Sequence, residues 1–198
     1  MLRFWTDVGL ADMITIGATF VNPLEVADVN GDTGETKVVA AYLAIQQAEL
    51  AAAIADTETT SVVLDQPMFF DVNYPIIIVG TEKMLITAGN GTGTLTVTRG
   101  HNGTTKATHA IGDRVYSAYN ATEISLSSID NSGTDESGWL TFRDYGTGSY
   151  EAPHAVADLD HDASAHLQLQ VVVPVWPASY KRDIVPRINC KLTEIPNP

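Results

Sequence analysis

One acidic segment of the chain, with the sequence DLDHDASAH, concentrates side chains that could bind a metal ion. Asp158, Asp160 and Asp162 alternate along it, and His161 and His166 accompany them. Alternating carboxylates can supply the oxygen ligands that a hard cation such as Ca²⁺ prefers. The two histidines do not have the i, i+4 spacing of a helical zinc site. A solvated acidic loop is the simpler interpretation, and we predict no metal site here.

A second acidic segment, DVNGDTGE, can be compared with the calcium loop of an EF-hand. Asp28, Asn30 and Asp32 match positions one, three and five of that loop. Thr33 stands where the loop needs glycine, and Val39 stands where it needs the bidentate glutamate. Both the turn and the main ligand are missing, so we expect no calcium site in this segment either.

Arg99 and His109 are the other side chains that could be mistaken for site residues. Each lies beside turn glycines, and His109 belongs to no recognisable nucleophile–base motif, so we predict that both have structural roles. The loop Gly89–Gly93 (GNGTG) lacks the Lys-Ser/Thr tail and the following helix of a phosphate-binding loop. We read it as a hairpin connection.

No catalytic motif is recognisable elsewhere in the chain. There is no Ser-His-Asp order, no paired glutamate motif and no H-E-x-x-H. We therefore predict that the protein is not an enzyme, with no catalytic, cofactor-binding or metal-binding residues. Cys190 is the single cysteine, which excludes an internal disulfide. It shares one side of a predicted strand with Ile188 and Leu192, which predicts a buried thiol; an intersubunit disulfide is the alternative.

One long helix is predicted over Thr36–Ala55. This segment contains no Gly or Pro and has eight alanines. Val39, Leu43, Leu50 and Ile54 mark an apolar stripe at helical spacing. The alanine-rich surface would allow close packing either on the chain's own sheet or at a symmetric subunit interface, and both alternatives remain open.

The start of that helix is predicted at a capping box. Asp32 is the expected N-cap, and Glu35 follows three residues later. Twenty helical residues would span about 30 Å.

Short β-branched runs separated by turn residues predict strands through the rest of the chain. We therefore predict a mainly β fold with one long α-helix, in which a small β module is followed by a C-terminal β-sandwich. The predicted units are an N-terminal arm (1–35), the Ala-rich helix (36–56), the small β module (57–120) and the β-sandwich domain (121–198). The predicted strands are Ser61–Asp65, Ile76–Val79, Lys83–Ala88, Thr94–Thr98, Arg114–Tyr119, Ala121–Ser127, Trp139–Arg143, His166–Val173 and Arg187–Ile195.

The run TLTVTRGHNGTTKATHAIGDRV carries a family resemblance. Thr59–Ala121 resembles a small β module of tailed-bacteriophage virion proteins, in which I-G-x-E-x-hydrophobic precedes T-V-x-R-G-x-x-G-T-x-x-x-x-H-x-x-G-x-x-V. The resemblance implies that the motif closes a small β domain within a phage particle, without indicating which part of the particle. The matching residues are Val79, Gly80, Glu82, Met84, Thr96, Val97, Arg99, Gly100, Gly103, Thr104, His109, Gly112 and Val115.

The charge distribution argues against binding to nucleic acid. The formal net charge is −13, and only 18% of residues are charged. The acidic excess lies in residues 1–59 and 128–166, each with net −7, and only residues 167–198 are basic, with net +2. No basic patch could follow a phosphate backbone. No apolar run approaches the ~18 residues of a membrane helix, and the N-terminus lacks the pattern of a signal peptide.

The N-terminal segment is expected to behave as an assembly arm. It has little periodicity yet contains several large apolar side chains, so we expect it to lie on another chain and to fray in an isolated monomer. Those side chains are Phe4, Trp5, Ile14, Ile16, Phe20 and Val21.

Together these observations predict a structural component of a tailed-phage virion, assembled in the bacterial cytoplasm. Its expected partners are other virion proteins and copies of itself in a homo-oligomer, with no nucleic acid and no membrane. The tail, baseplate or neck is the first choice of location, and capsid decoration is the alternative. A receptor- or glycan-binding module would use loop aromatics, for which Trp176 and Tyr180 are the candidates. A polysaccharide-cleaving enzyme would need paired carboxylates in a cleft.

Overall fold

The computed structural model describes residues 2–10, 14, 32–68, 73–130, 137–175 and 184–197. The described residues form antiparallel strands and two short 3-10 turns, with no α-helix among them. The mainly β class predicted from the sequence is confirmed. The strands are β1 (Leu2–Trp5), β2 (Glu35–Ile45), β3 (Gln47–Glu49), β4 (Ser61–Val63), β5 (Ile76–Val79), β6 (Glu82–Ala88), β7 (Thr94–Thr98), β8 (Arg114–Ser117), β9 (Tyr119–Asp130), β10 (Leu140–Asp144), β11 (His154–Val156), β12 (Ser164–Val173) and β13 (Ile184–Glu194).

The predicted helix over Thr36–Ala55 is wrong, because this segment contributes β2 and β3. Residues four apart share a face in a strand as well as in a helix, so the spacing of Val39 and Leu43 fits both structures. The strand also turns Ala41 and Leu43 into the core, where both are fully buried, while Val38 is 45% exposed on the other face. Pairing with the whole of β12 outweighs the helix propensity of the alanines.

The predicted capping box is absent for the same reason. Asp32 lies in a turn, and Glu35 is the first residue of β2 rather than part of a helix.

Two sheets form a β-sandwich around one hydrophobic core. The first sheet has the order β1-β2-β12-β10, and the second has the order β11-β9-β13. The sandwich therefore combines strands from both ends of the chain and includes β1 and β2 in addition to the predicted residues 121–198. Its largest fully buried side chains include Phe4, Leu43, Ile45, Leu126, Phe142 and Leu167.

The beginning of the predicted N-terminal arm belongs to this sandwich. β1 pairs with the end of β2, and Phe4, Trp5 and Ile14 are buried within the same chain. The backbone N–H of Ile14 also donates to the carbonyl of Phe4 at 2.8 Å. The expectation that these side chains need another chain is wrong, because β1 pairs with β2 in the same sheet and the side chains are buried there. Ile16, Phe20 and Val21 lie outside the described residues.

The second unit is a small barrel with the strand order β3-β8-β5-β6-β7-β4. It closes because Leu50 and Leu64, which directly follow β3 and β4, form an antiparallel bridge. The backbone N–H of Ala51 donates to the carbonyl of Val63 at 2.9 Å across this seam. Gly89–Gly93 connects β6 to β7, so the predicted hairpin is confirmed. The buried side chains inside include Leu50, Ile54, Val62, Met68, Ile77, Met84, Leu95, Val97 and Val115.

The barrel and the sandwich share a third apolar cluster. Ala118 alone separates β8 of the barrel from β9 of the sandwich. Tyr74 meets Tyr119 edge to face, with ring centroids 5.2 Å apart. Ile195, which follows the last strand, packs in the same cluster as Ile76 of the barrel. The segment that follows β13 thus rests against the barrel.

A matched pair of substitutions distinguishes the observed strand from a helix. Ala40 and Ala41 are neighbours, but Ala40 is exposed and Ala41 is fully buried in β2. We expect Ala41→Lys to lower the free energy of unfolding by about 3 kcal/mol or more, because an ammonium group would enter the core. Ala40→Lys should change it by no more than about 0.5 kcal/mol. Equal effects in urea denaturation of both variants would contradict the strand assignment.

Candidate functional site

A fully buried carboxylate lies where β5 turns into β6. Gly80 has a φ of 57° in this turn, a left-handed conformation that favours glycine. Val79 pairs with Glu82 across the turn. The Glu82 side chain is 0% exposed, which requires that its charge be matched inside the protein.

Five donors meet the Glu82 carboxylate. Arg99 binds it side-on, with Nε 2.6 Å from Oε1 and Nη2 2.6 Å from Oε2. The backbone N–H groups of Gly100 and Ala107 donate at 3.0 and 2.9 Å. His109 Nε2 lies 3.0 Å from Oε2, and it must carry the proton there because an ionised carboxylate only accepts. A bidentate arginine and several backbone donors form a strong set of charge-assisted hydrogen bonds.

Arg99 extends this network to neighbouring loops. Nη1 donates to the carbonyls of Asp56 and Thr59 at 3.2 and 3.1 Å. Nη2 also donates to the carbonyl of Ala107. Every N–H of the guanidinium therefore has an acceptor, and one side chain fixes the loop before β4 against the connection from β7 to β8.

His109 is held through its backbone as well as its ring. It forms an antiparallel bridge with Ile54, with hydrogen bonds of 2.9 and 3.0 Å in the two directions. Its Nδ1 lies 3.9 Å from a carboxylate oxygen of Asp113. The ring thus spans from the buried Glu82 towards the surface.

The network controls the ionisation of Glu82. Burial alone would raise the pKa of this carboxyl. The hydrogen bonds from Arg99, Ala107, His109 and Gly100 outweigh the burial and lower the pKa to about 2. A carboxylate with five donors has no free position for a substrate or a metal ion. The arrangement is chemically that of a structural network, and the structural role predicted for His109 is tested by the variant described below.

The acidic and histidine side chains of the segment DLDHDASAH do not meet at one point. Asp158 accepts from the backbone N–H of Glu123 at 3.1 Å, and Asp160 accepts from Asn120 at 2.9 Å. His166 stacks between two tyrosine rings on the sandwich, with centroids 4.3 and 3.8 Å away. Within the described part of the chain, no three His, Cys, Asp or Glu side chains are grouped to hold a metal ion.

The remaining sequence candidates have separate outcomes. Cys190 is exposed, so the predicted buried thiol is wrong. The pairing of β13 with β9 shifts register between Asn189 and Lys191, and this irregularity interrupts the expected alternation of buried and exposed side chains. Residues 28–31 of the EF-hand-like segment lie outside the described residues, as do Trp176 and Tyr180.

Glu82 is the member of the network that the sequence does not connect to the others. It stands out only as a matching residue of the motif, whereas Arg99 and His109 also lie beside turn glycines. The sequence does contain a signal for Glu82, which is its position between the apolar runs IIIVG and MLI. An acidic side chain between two apolar runs needs a partner for its charge.

The depressed pKa of Glu82 predicts a pH dependence of stability. The pKa in the folded protein, about 2, lies below the ordinary value of 4.5. The ionised network therefore stabilises the fold fully above the ordinary value, and this contribution is lost as the pH falls towards 2. At about 1.4 kcal/mol per pKa unit, the contribution is about 3 kcal/mol.

Urea unfolding followed by tryptophan fluorescence between about pH 7 and pH 2 checks this expectation. Glu82→Gln should lose this part of the pH dependence and should be less stable at neutral pH, because Arg99 keeps its charge without a counterion. Glu58→Gln, at a carboxylate whose side chain is 83% exposed, is the matched control. A Glu82→Gln variant with the wild-type pH dependence would contradict the assigned role.

His109 gives a second test of the network. We expect His109→Ala to lower the free energy of unfolding by about 1–3 kcal/mol, because a buried hydrogen bond to Glu82 is lost. His101→Ala, in the neighbouring turn, should change it by no more than about 0.5 kcal/mol. Thermal melts of the two variants provide the comparison. If His109→Ala melts like the wild type but loses binding to a partner, the residue is functional rather than structural.

Comparisons of the chain with family models, curated proteins and solved structures returned no match. No helix among the described residues is long and apolar enough to cross a membrane. Any functional conclusion therefore depends on the residues and contacts of this chain.

Proposed function

We propose that this protein is a structural component of a tailed-phage virion that assembles through protein–protein contacts, with the tail, baseplate or neck as the first choice of location. One observation carries the proposal. Glu82, Arg99, Gly100 and His109, which belong to the phage-module resemblance, are all joined in one buried network. Seven of the thirteen residues of the resemblance are buried in the barrel, as expected for a scaffold module: Val79, Glu82, Met84, Val97, Arg99, His109 and Val115.

Rigidity supports a role as a scaffold. The barrel closes on itself, and the Glu82 network fixes three of its loop segments. The sandwich has its own core, and the shared cluster around Tyr119 packs the two units together. A rigid protomer repeated many times can gain affinity from modest contacts, because symmetry multiplies each of them.

A few exposed apolar side chains are candidates for such contacts. Ile111 is 68% exposed on the turn before β8, and Val175 is 64% exposed beyond β12. We propose homo-oligomeric contacts and contacts with other virion proteins at such loops, with no nucleic acid or membrane as partner. The proposal includes the absence of catalytic activity, because the titratable groups of the buried network are already occupied by one another.

A receptor- or glycan-binding module is the second candidate. Tyr145, which follows β10, is 51% exposed, and one face of its ring stacks on His166 with centroids 3.8 Å apart. A braced aromatic ring at the surface is suited to stacking against a sugar. This single ring is less specific than the buried network, so the structural role remains the first choice.

Purified particles provide the direct test. We expect mass spectrometry of gradient-purified phage particles from the host that produces this chain to detect it at a fixed ratio to the other virion proteins. Electron microscopy with an antibody against the chain should label the tail, baseplate or neck. Label on the head would favour capsid decoration instead.

A control separates incorporation from contamination. A soluble phage protein of similar abundance in the lysate should be lost on the same gradient. Absence of the chain from particles, while it is present in the infected cells, would overturn the proposed function.

A further inference from the structure

Lys83 is a buried amine immediately next to the Glu82 network. Its side chain is only 1% exposed. Nζ lies 2.8 Å from Oε1 of Glu194 and also donates to the carbonyl of Ile195. Lys83 belongs to β6 of the barrel, whereas Glu194 ends β13 of the sandwich. The contact therefore joins the two β units.

The side-chain amide of Asn102 meets the same carboxylate oxygen. Asn102 lies in the 3-10 turn His101–Gly103 with a φ of 54°, and its Nδ2 donates to Glu194 Oε1 at 2.6 Å. The turn is held against β6, because the backbone N–H of Lys83 donates to Thr104 Oγ1 at 3.0 Å. The primary amine and the carboxamide are thus both fixed on one oxygen of Glu194.

These three groups are the ones that a transamidation requires, a reaction in which an amine replaces the nitrogen of a carboxamide. The amine is the nucleophile, the side-chain carbonyl carbon is the electrophile, and a carboxylate in contact with both nitrogens can transfer the protons. Burial would raise the pKa of Glu194, but the hydrogen bonds from Lys83 and Asn102 lower it, so the carboxylate that contacts both nitrogens is ionised. Holding the reacting groups together supplies the effective concentration that this slow reaction needs.

We propose that Lys83 and Asn102 form an intramolecular isopeptide bond and that Glu194 promotes it. Glu194 takes a proton from the Lys83 ammonium group, and the free Nζ attacks Cγ of Asn102. A bond forms between Nζ and Cγ, and the bond between Cγ and Nδ2 breaks. Glu194 passes this proton and then a second one from Nζ to the leaving nitrogen, so Nδ2 departs as one ammonium ion and the carboxylate is regenerated. No oxidant, metal or other reactant is needed.

The position of Glu194 makes the reaction depend on folding. The bond would link β6 to the connection between β7 and β8, both within the barrel. The promoting carboxylate comes from the last strand of the sandwich. The cross-link can therefore form only after that strand has docked on the barrel. This inference does not rest on the proposed place of the protein in a virion.

Intact-mass measurement of the purified full-length chain tests the proposal. We expect the mass of the wild type to be lower than the sequence mass by one ammonia. Tandem mass spectrometry of a protease digest should show a branched peptide that joins Lys83 to Asn102. Lys83→Arg and Glu194→Gln should have their full sequence masses and no branched peptide.

A competing loss of ammonia is distinguished by the same experiment. Asparagine followed by glycine can cyclise to a succinimide, and the chain has this pair at Asn30, Asn90 and Asn102. A succinimide would give a linear peptide and would persist in Lys83→Arg, and that result would overturn the proposal. Asn30→Ala and Asn90→Ala are the controls that should retain the loss of ammonia and the branched peptide.

The proposal can be tested even if the variants do not fold. If Lys83→Arg or Glu194→Gln is insoluble, the peptide map of the wild type decides alone. A full sequence mass and only linear peptides from these positions, after prolonged incubation of the folded wild type, would overturn the proposal.

Discussion

The ionised carboxylate of Glu82 is the constraint on which the barrel depends. Removing a charge from water costs several kcal/mol, even after the protein relaxes around it. The fold meets this cost with five donors, and none of them is a near neighbour of Glu82 in the sequence, since Arg99 and His109 lie 17 and 27 residues away. The connection from β7 to β8 must therefore curve around one side chain. Its conformation is set by that carboxylate together with its own turn glycines, among them Gly100 and Gly103.

The same network also helps to close the barrel. The backbone of His109 pairs with that of Ile54, which follows β3, and Arg99 holds the carbonyls of Asp56 and Thr59 in front of β4. β3 and β4 are the two strands that meet at the seam. The β2 strand of the sandwich runs into β3 across a single residue, Gln46, so the sandwich is joined directly to the strand at this seam. The two β units are thus connected through the seam as well as through the apolar cluster around Tyr119.

The sequence was informative where the structure is decided locally. Alternation in Thr94–Thr98 and the glycine-rich loop before it predicted a strand and a hairpin correctly. The helix over Thr36–Ala55 failed because the deciding partner, β12, lies more than a hundred residues later in the chain. The candidate site shows the same difference between what local sequence predicts and what distant contacts decide. Arg99 and His109 could be singled out by their turn glycines, but the carboxylate that joins them is reached only through the three-dimensional pairing of β5, β6 and β7.

The neighbouring residues Glu82 and Lys83 show why buried charge can have two different consequences. Glu82 takes all of its donors from the barrel, and each is in place once the barrel has closed, so the carboxylate has no capacity left for reaction. Lys83 instead depends on Glu194, which belongs to the other unit and whose oxygen is shared with Asn102. An acceptor shared between an amine and a carboxamide brings a nucleophile and an electrophile together. Chemistry in this protein is therefore to be sought at the contact between the two β units rather than in the saturated network inside the barrel.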